Sequence, residues 1–157
     1  MSRVVQQSCN TFDEAGARAC LRARLGAVPR RLGGWTELAL AGALSIEVPA
    51  GPVGLILGSA LGPVNETLGV LNDVLAGAPT MPFGFMQSQP AISLSVMAAQ
   101  WPQIIRTTCM LADDDFWDFA ARLADHWALD GVESVLAGWV DSDAGRSDWT
   151  LFAFDAT

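Results

Sequence analysis

The chain has no lysine, a single histidine and three cysteines, and it lacks any long apolar run free of proline and glycine. Each shortage excludes something. With lysine missing, the nine cations are all arginine and face 17 acids, for a net charge of −8. An acidic surface repels phosphate backbones, so a nucleic-acid partner is not expected. Cys9, Cys20 and Cys109 are odd in number, far apart and outside any C-x-x-C spacing. That pattern argues against a disulfide framework, a zinc site or a dithiol redox pair, and for a reducing, cytoplasmic setting. The most apolar stretch, residues 48–64, is broken by Pro49, Gly51, Pro52, Gly54, Gly58, Gly62 and Pro63. A membrane-crossing helix needs about 20 predominantly apolar residues, so no membrane span is expected. No apolar leader segment follows the opening Met-Ser-Arg, and export is not expected either.

What is present is a chain of 157 residues, 51% hydrophobic, without internal repeats or low-complexity linkers. It is expected to form one domain over residues 1–157. Charge is distributed unevenly: residues 1–50 carry +2 and residues 51–157 carry −10. The positive end concentrates Arg18, Arg22, Arg24, Arg30 and Arg31. Of these, Arg18, Arg22, Arg30 and Arg31 are the candidate contacts for an acidic partner; the alternative is a solvated helix face and its loop.

Hydrophobic periodicity assigns most elements. Residues 3–8 read as a first strand, 13–25 as a helix, and 34–44 as a second helix with Leu38, Ala41 and Leu44 on one side. Val53-Gly-Leu-Ile-Leu57 is too short for a helix and apolar throughout, as expected of a strand covered on both faces. Val64, Leu68, Leu71 and Leu75 then recur at helical spacing before Gly77. Ser88, ahead of Gln89-Pro90, predicts a helix N-cap, with the helix running to about Met97. Residues 104–111 are rich in β-branched side chains and predict a strand. The following helix carries Phe116, Phe119, Leu123 and Trp127 as its apolar face, with Asp118 and Arg122 at i, i+4 spacing opposite. Residues 133–140 and 150–154 read as the last strands, separated by a polar loop at 141–148.

Between the strand at 104–111 and its following helix lies Asp113-Asp114-Asp115. Carboxylates at a helix N-terminus suit the positive end of the helix dipole and can cap free backbone N–H groups. As metal ligands they lack the D-x-D-x-D-G spacing of a calcium loop. His126, the one histidine, falls near the border of the helix's polar face, and no Cys/His or Ser/His/Asp site assembles around it.

Four segments carry a resemblance. Gly54-Leu-Ile-Leu-Gly-Ser-Ala-Leu-Gly-Pro-Val-Asn-Glu-Thr-Leu68 is similar to the early strand-turn-helix of β-ketoacyl synthases. Residues 29–43, Gln89-Pro90-Ala91 and Val135-Leu-Ala-Gly-Trp-Val-Asp141 occur in the order of that family. The chain thereby resembles the beta-ketoacyl synthase-like N-terminal domains of bacterial aryl polyene and related pigment clusters. The resemblance implies an α/β fold, the N-terminal half of a thiolase-like domain, with a mixed five-stranded sheet and helices on both faces. It implies that Asp113 occupies the place of the nucleophilic cysteine, with Leu111-Ala112 standing where the family has Thr-Ala. A rival alignment puts Cys109 there, after Thr107-Thr108. Synthases use two histidines from a C-terminal half to stabilise an oxyanion, and this chain ends before such a half.

The implied function is a noncatalytic subunit or scaffold of a fatty-acid- or polyketide-like pathway, docking on a ketosynthase or on itself as a dimer, with no cofactor. The alternative is a module that holds an acyl group or an acyl carrier protein without turnover. A third possibility is a hydrolase or transferase with Asp113 or Asp114 as base. Trp139, where the family has a small residue, is expected to narrow any acyl tunnel.

Overall fold

Every residue from Val53 to Ser59 is buried in the computed structural model, which describes residues 1–79 and 81–154. This segment is the middle of a sheet. The elements in chain order are β1 (Ser2–Thr11), α1 (Glu14–Leu25), α2 (Gly34–Ala43), β2 (Val53–Ser59), α3 (Val64–Leu75), α4 (Pro82–Gln87), α5 (Pro90–Gln100), β3 (Ile104–Leu111), α6 (Phe116–Ala128), β4 (Ser134–Asp141) and β5 (Arg146–Phe154). The five strands form one sheet in the order β1-β5-β4-β2-β3. β2 runs parallel to both neighbours, with Leu55 opposite Leu136 of β4 and Leu57 opposite Cys109 of β3. β5 is antiparallel to β4 and to β1, so the sheet is mixed, as expected.

Alternation along the strands divides the core in two. Val53, Leu55 and Leu57 pack with Leu136, Val140 and Trp149 under α1, α2 and α5. Ile56 faces the other way and joins Val135, Ala137 and Phe152 under α6. α2 is covered all round: every residue from Trp35 to Ala43 is buried, which explains why its sequence is apolar on nearly every position. Two glycines permit close approach at the edges of these layers. A Cβ on Gly58 would overlap the ring of Phe116, and one on Gly33 would stand 2.8 Å from Glu66 Oε1.

Several local expectations are corrected. β1 extends to Thr11, and β5 begins at Arg146, which shortens the polar loop to a tight turn. Ser88 is not an N-cap: it ends α4, a helix the periodicity did not show, and its hydroxyl donates to the Phe85 carbonyl at 2.7 Å. α6 buries Phe116, Ala120, Ala124 and Trp127, and Phe119 is 42% exposed. Its bulky end residues serve as anchors while alanines allow the helix to lie close to the sheet. The apolar stripe of α3 is not buried; Leu68, Leu71, Val74 and Leu75 are all at least half exposed.

Candidate functional site

β3 carries the chain to the carboxyl end of the sheet, where the Ala112 N–H donates to the Ser59 carbonyl at 3.1 Å and ties this exit to that of β2. Asp113, Asp114 and Asp115 then form an exposed turn, closed by the Phe116 N–H on the Asp113 carbonyl at 3.1 Å. Asp115 stands at the N-cap position of α6, but its side chain makes no capping bond. The expected side-chain cap is therefore not formed, because the residue has turned into a near-helical conformation (φ −84°, ψ 2°) instead of the extended one that aims a capping oxygen back at the helix. The three charges still lie beside the positive end of the helix dipole. Behind them, Phe116 meets Trp117 edge-on at 4.9 Å and Trp139 at 5.3 Å, so Trp139 packs into the layer under α6.

Cys109 occupies a different environment. It lies within β3, and the last two strand residues together with the turn from Ala112 to Asp115 separate it from the start of α6. It lines an apolar cavity of about 130 Å³ with Trp35, Leu57, Ser59 and Pro90. Burial raises the pKa of this thiol, which lowers its thiolate fraction at neutral pH. A cysteine activated by a helix N-terminus has the opposite shift.

The arginines divide into two groups. Arg18 is engaged within the molecule: its Nε donates to Glu37 Oε2 at 2.9 Å and its Nη1 lies 3.4 Å from Glu14. Glu37 is 3% exposed, so Arg18 neutralises a buried carboxylate. Arg22, one turn on, is exposed. Arg30 is exposed in the loop before α2, and Arg31 lies over the Phe83 ring at 4.0 Å while its carbonyl accepts from Gln87 Nε2 at 3.0 Å. The loop therefore holds α4. His126 is exposed on α6, and its neighbour Asp130 is held below the usual carboxylate range first by a hydrogen bond from Arg106, at 2.6 Å.

Sequence periodicity missed the most exposed apolar feature. Leu71, Val74 and Leu75 of α3 lie on the same hairpin as Met81, which precedes α4, and Phe83, Phe85 and Met86 of α4, all between 39% and 83% exposed. The run Met-Pro-Phe-Gly-Phe-Met was the available signal, an apolar segment too short to show a helical period. β3 is one of the two edges of the sheet, and there Ile105 is 61% and Leu111 70% exposed. Among the described residues no helix is long and apolar enough to cross a membrane.

No protein-family model matches the chain, and no curated protein matches its sequence. Solved structures do. The chain superposes on a structure of the ketosynthase ApeO in complex with its chain length factor ApeC from Xenorhabdus doucetiae, with a TM-score of 0.70 at 14% identity, covering 99% of this chain and 79% of that one. It superposes on the ishigamide ketosynthase/chain length factor with a TM-score of 0.65 at 14% identity, over 91% of this chain but 48% of that one. A third match is AntDE:AntF, a type II polyketide synthase acyl carrier protein in complex with its ketosynthase, with a TM-score of 0.57 at 9% identity, over 97% of this chain and 62% of that one. At such identities the likeness is one of fold. The chain has the thiolase-like α/β arrangement of ketosynthase/chain length factor structures over nearly its whole length.

Proposed function

We propose that this chain is a noncatalytic ketosynthase-like subunit of a fatty-acid- or polyketide-like pathway, of the aryl polyene pigment type, and that it works in the cytoplasm through protein–protein contact. The observation that carries this reading is the exposed apolar surface. Leu71, Val74, Leu75, Phe83, Phe85 and Met86 are bared on the α3–α4 hairpin. Exposed apolar surface in a contiguous patch marks an interaction site. β3 adds an edge strand, whose free backbone N–H and C=O groups are a template for a partner's strand.

The chemistry at the carboxyl end of β3 supports the noncatalytic part. Asp113 at the strand-to-helix turn cannot form the thioester that condensation requires, and Cys109 sits in the strand with its thiol pKa raised by burial. The partner class follows from the structural neighbours, two of which are described as ketosynthase and chain length factor together. Coexpression with a ketosynthase of this pathway type, followed by light scattering, tests the reading. A heterodimer, or a homodimer of the chain alone, is expected; a strict monomer that captures no ketosynthase overturns it.

A second reading is favoured by Arg22, Arg30 and Arg31, which remain exposed on an otherwise acidic protein. Acyl carrier proteins are acidic, and one of the structural neighbours is a ketosynthase complexed with one. Neutralising Arg30 and Arg31 together is expected to abolish carrier binding without unfolding the chain, because neither anchors the core.

A further inference from the structure

Arg18, Arg106 and Arg146 are each held by an acid of the same chain: Glu37, Asp130 and Asp148. Arg31 is held differently. Its guanidinium lies over the Phe83 ring of α4, 4.0 Å from the centroid, and its carbonyl accepts from Gln87 Nε2, one turn further along that helix, at 3.0 Å. Among the described residues no acid pairs with it. Arg31 is also, among the described residues, the only one other than glycine with a left-handed backbone, at φ 66°. That conformation is unfavourable for a residue with a Cβ and persists where surrounding contacts impose it, which α4 does here through both side chain and backbone.

At this separation the flat face of the guanidinium rests on the ring, which leaves the N–H groups along its exposed edge free. An arginine already stacked loses less freedom when it grips a ligand than one that swings in solvent. Its paired donors match the two oxygens of a carboxylate. Arg30, exposed next to it, adds a second positive charge. Met81, Phe85 and Met86, around Phe83 in sequence, are 63%, 56% and 45% exposed, so the charged contact borders an apolar one. The protein as a whole carries −8 and repels an acidic partner at a distance. Physiological salt screens most of that repulsion beyond about 8 Å, so the geometry at the contact decides.

We propose that Arg31, stacked on Phe83, is the anchor for an acidic amphipathic helix of a partner protein: its N–H edge takes one carboxylate of that helix while Phe85 and Met86 meet the helix's apolar side. Phe83 is then a positioning residue, and α4 belongs to the acidic partner's site as well as to the apolar patch. The inference deepens the carrier reading above and rests on it for the identity of the partner.

Two probes keep the two apart: a synthetic amphipathic helix with glutamate on its polar face, and an acyl carrier protein of the aryl polyene pathway type, each titrated into the full chain by calorimetry. Arg31→Lys keeps the charge but loses the planar stack, and is expected to weaken both probes about tenfold. Phe83→Leu keeps an apolar side chain but removes the ring, and is expected to weaken them about fivefold, while Phe83→Tyr retains binding. Arg24→Gln, which removes one exposed charge from α1, should leave both affinities nearly unaltered. Circular dichroism checks that each variant is folded, and neither α4 nor the loop residue Arg31 contributes a buried side chain. If the peptide binds with this pattern and the carrier does not bind, the inference stands and the carrier reading falls. Carrier affinity undiminished in Arg31→Lys and Phe83→Leu, or weakened equally by Arg24→Gln, overturns the inference and leaves the carrier reading. Binding of neither probe overturns both.

Discussion

Glu66, on α3, caps α2: its Oε1 accepts the hydrogen bond of the Trp35 backbone N–H at 3.0 Å. The N-cap residue of α2 itself is Gly33, which has no side chain to do so, and the carboxylate approaches so closely that a Cβ at Gly33 would stand 2.8 Å from it. One residue supplies the cap and the other the space for it. Because α3 buries none of its residues, this bond also fixes where the apolar α3–α4 hairpin stands against the body.

Glu66→Ala is accordingly expected to destabilise the chain by about 0.5–2 kcal/mol, the usual loss for an N-cap. Gly33→Ala is expected to destabilise in the same range, by displacing the carboxylate. Urea denaturation of each variant and of the pair checks this. The double variant should lose less than the sum, since both act on one contact.

Gly58→Ala places a methyl group against the Phe116 ring and is expected to destabilise by about 1–3 kcal/mol, the range for overpacking. Phe116→Leu provides room, so the cost of Gly58→Ala measured in that background should fall by more than half. Equal costs in both backgrounds would show that the two residues do not share this contact.

The Arg106–Asp130 pair has a pH signature. Asp130 is shifted below its ordinary carboxylate value, first by the hydrogen bond from Arg106 and then by its charge, with His126 a smaller contributor. A carboxylate depressed in the folded state stabilises above its unfolded value, near 3.9 for Asp, and that contribution is lost as pH falls through the folded value. Both side chains are nearly half exposed, so the effect is small and screened by salt. An NMR titration of the Asp130 carboxyl should show its midpoint rise in Arg106→Gln.

Cys109 should alkylate more slowly than the exposed Cys9, because burial raises the thiol pKa at Cys109 and the thiolate is the reactive form. Peptide mass spectrometry over a time course of iodoacetamide at neutral pH reads both rates. A faster Cys109, or an acyl adduct on it after incubation with an acyl thioester, would return the chain to the enzymes.

Replacing Leu71 and Leu75 with glutamate is expected to abolish association while leaving the melting temperature nearly unaltered, since both are at least half exposed. Sedimentation of the variant alone and with a ketosynthase measures it.

Strands β2, β3 and β4 and helices α1, α2 and α6 were legible in the amino-acid order, because each has a local period or an apolar run bounded by glycine or proline. The mixed sheet with helices on both faces was implied by the resemblance of four segments, and the fold likeness to ketosynthase structures agrees with it. Local order could not decide what each stripe meets. An amphipathic pattern is the same whether its apolar side faces a sheet or solvent, and for Leu68 to Leu75 tertiary packing left it outside. Likewise, Asp115 has the right residue type for a cap and the wrong backbone angles, while Glu66 caps a helix 31 residues away. Arg18, read from sequence as a partner contact, also pairs with Glu37 across the α1–α2 interface while its side chain stays 45% exposed, a pairing that spacing did not show. Such pairings depend on which segments the folded chain brings within about 3 Å of one another, a distance that spacing along the chain does not encode.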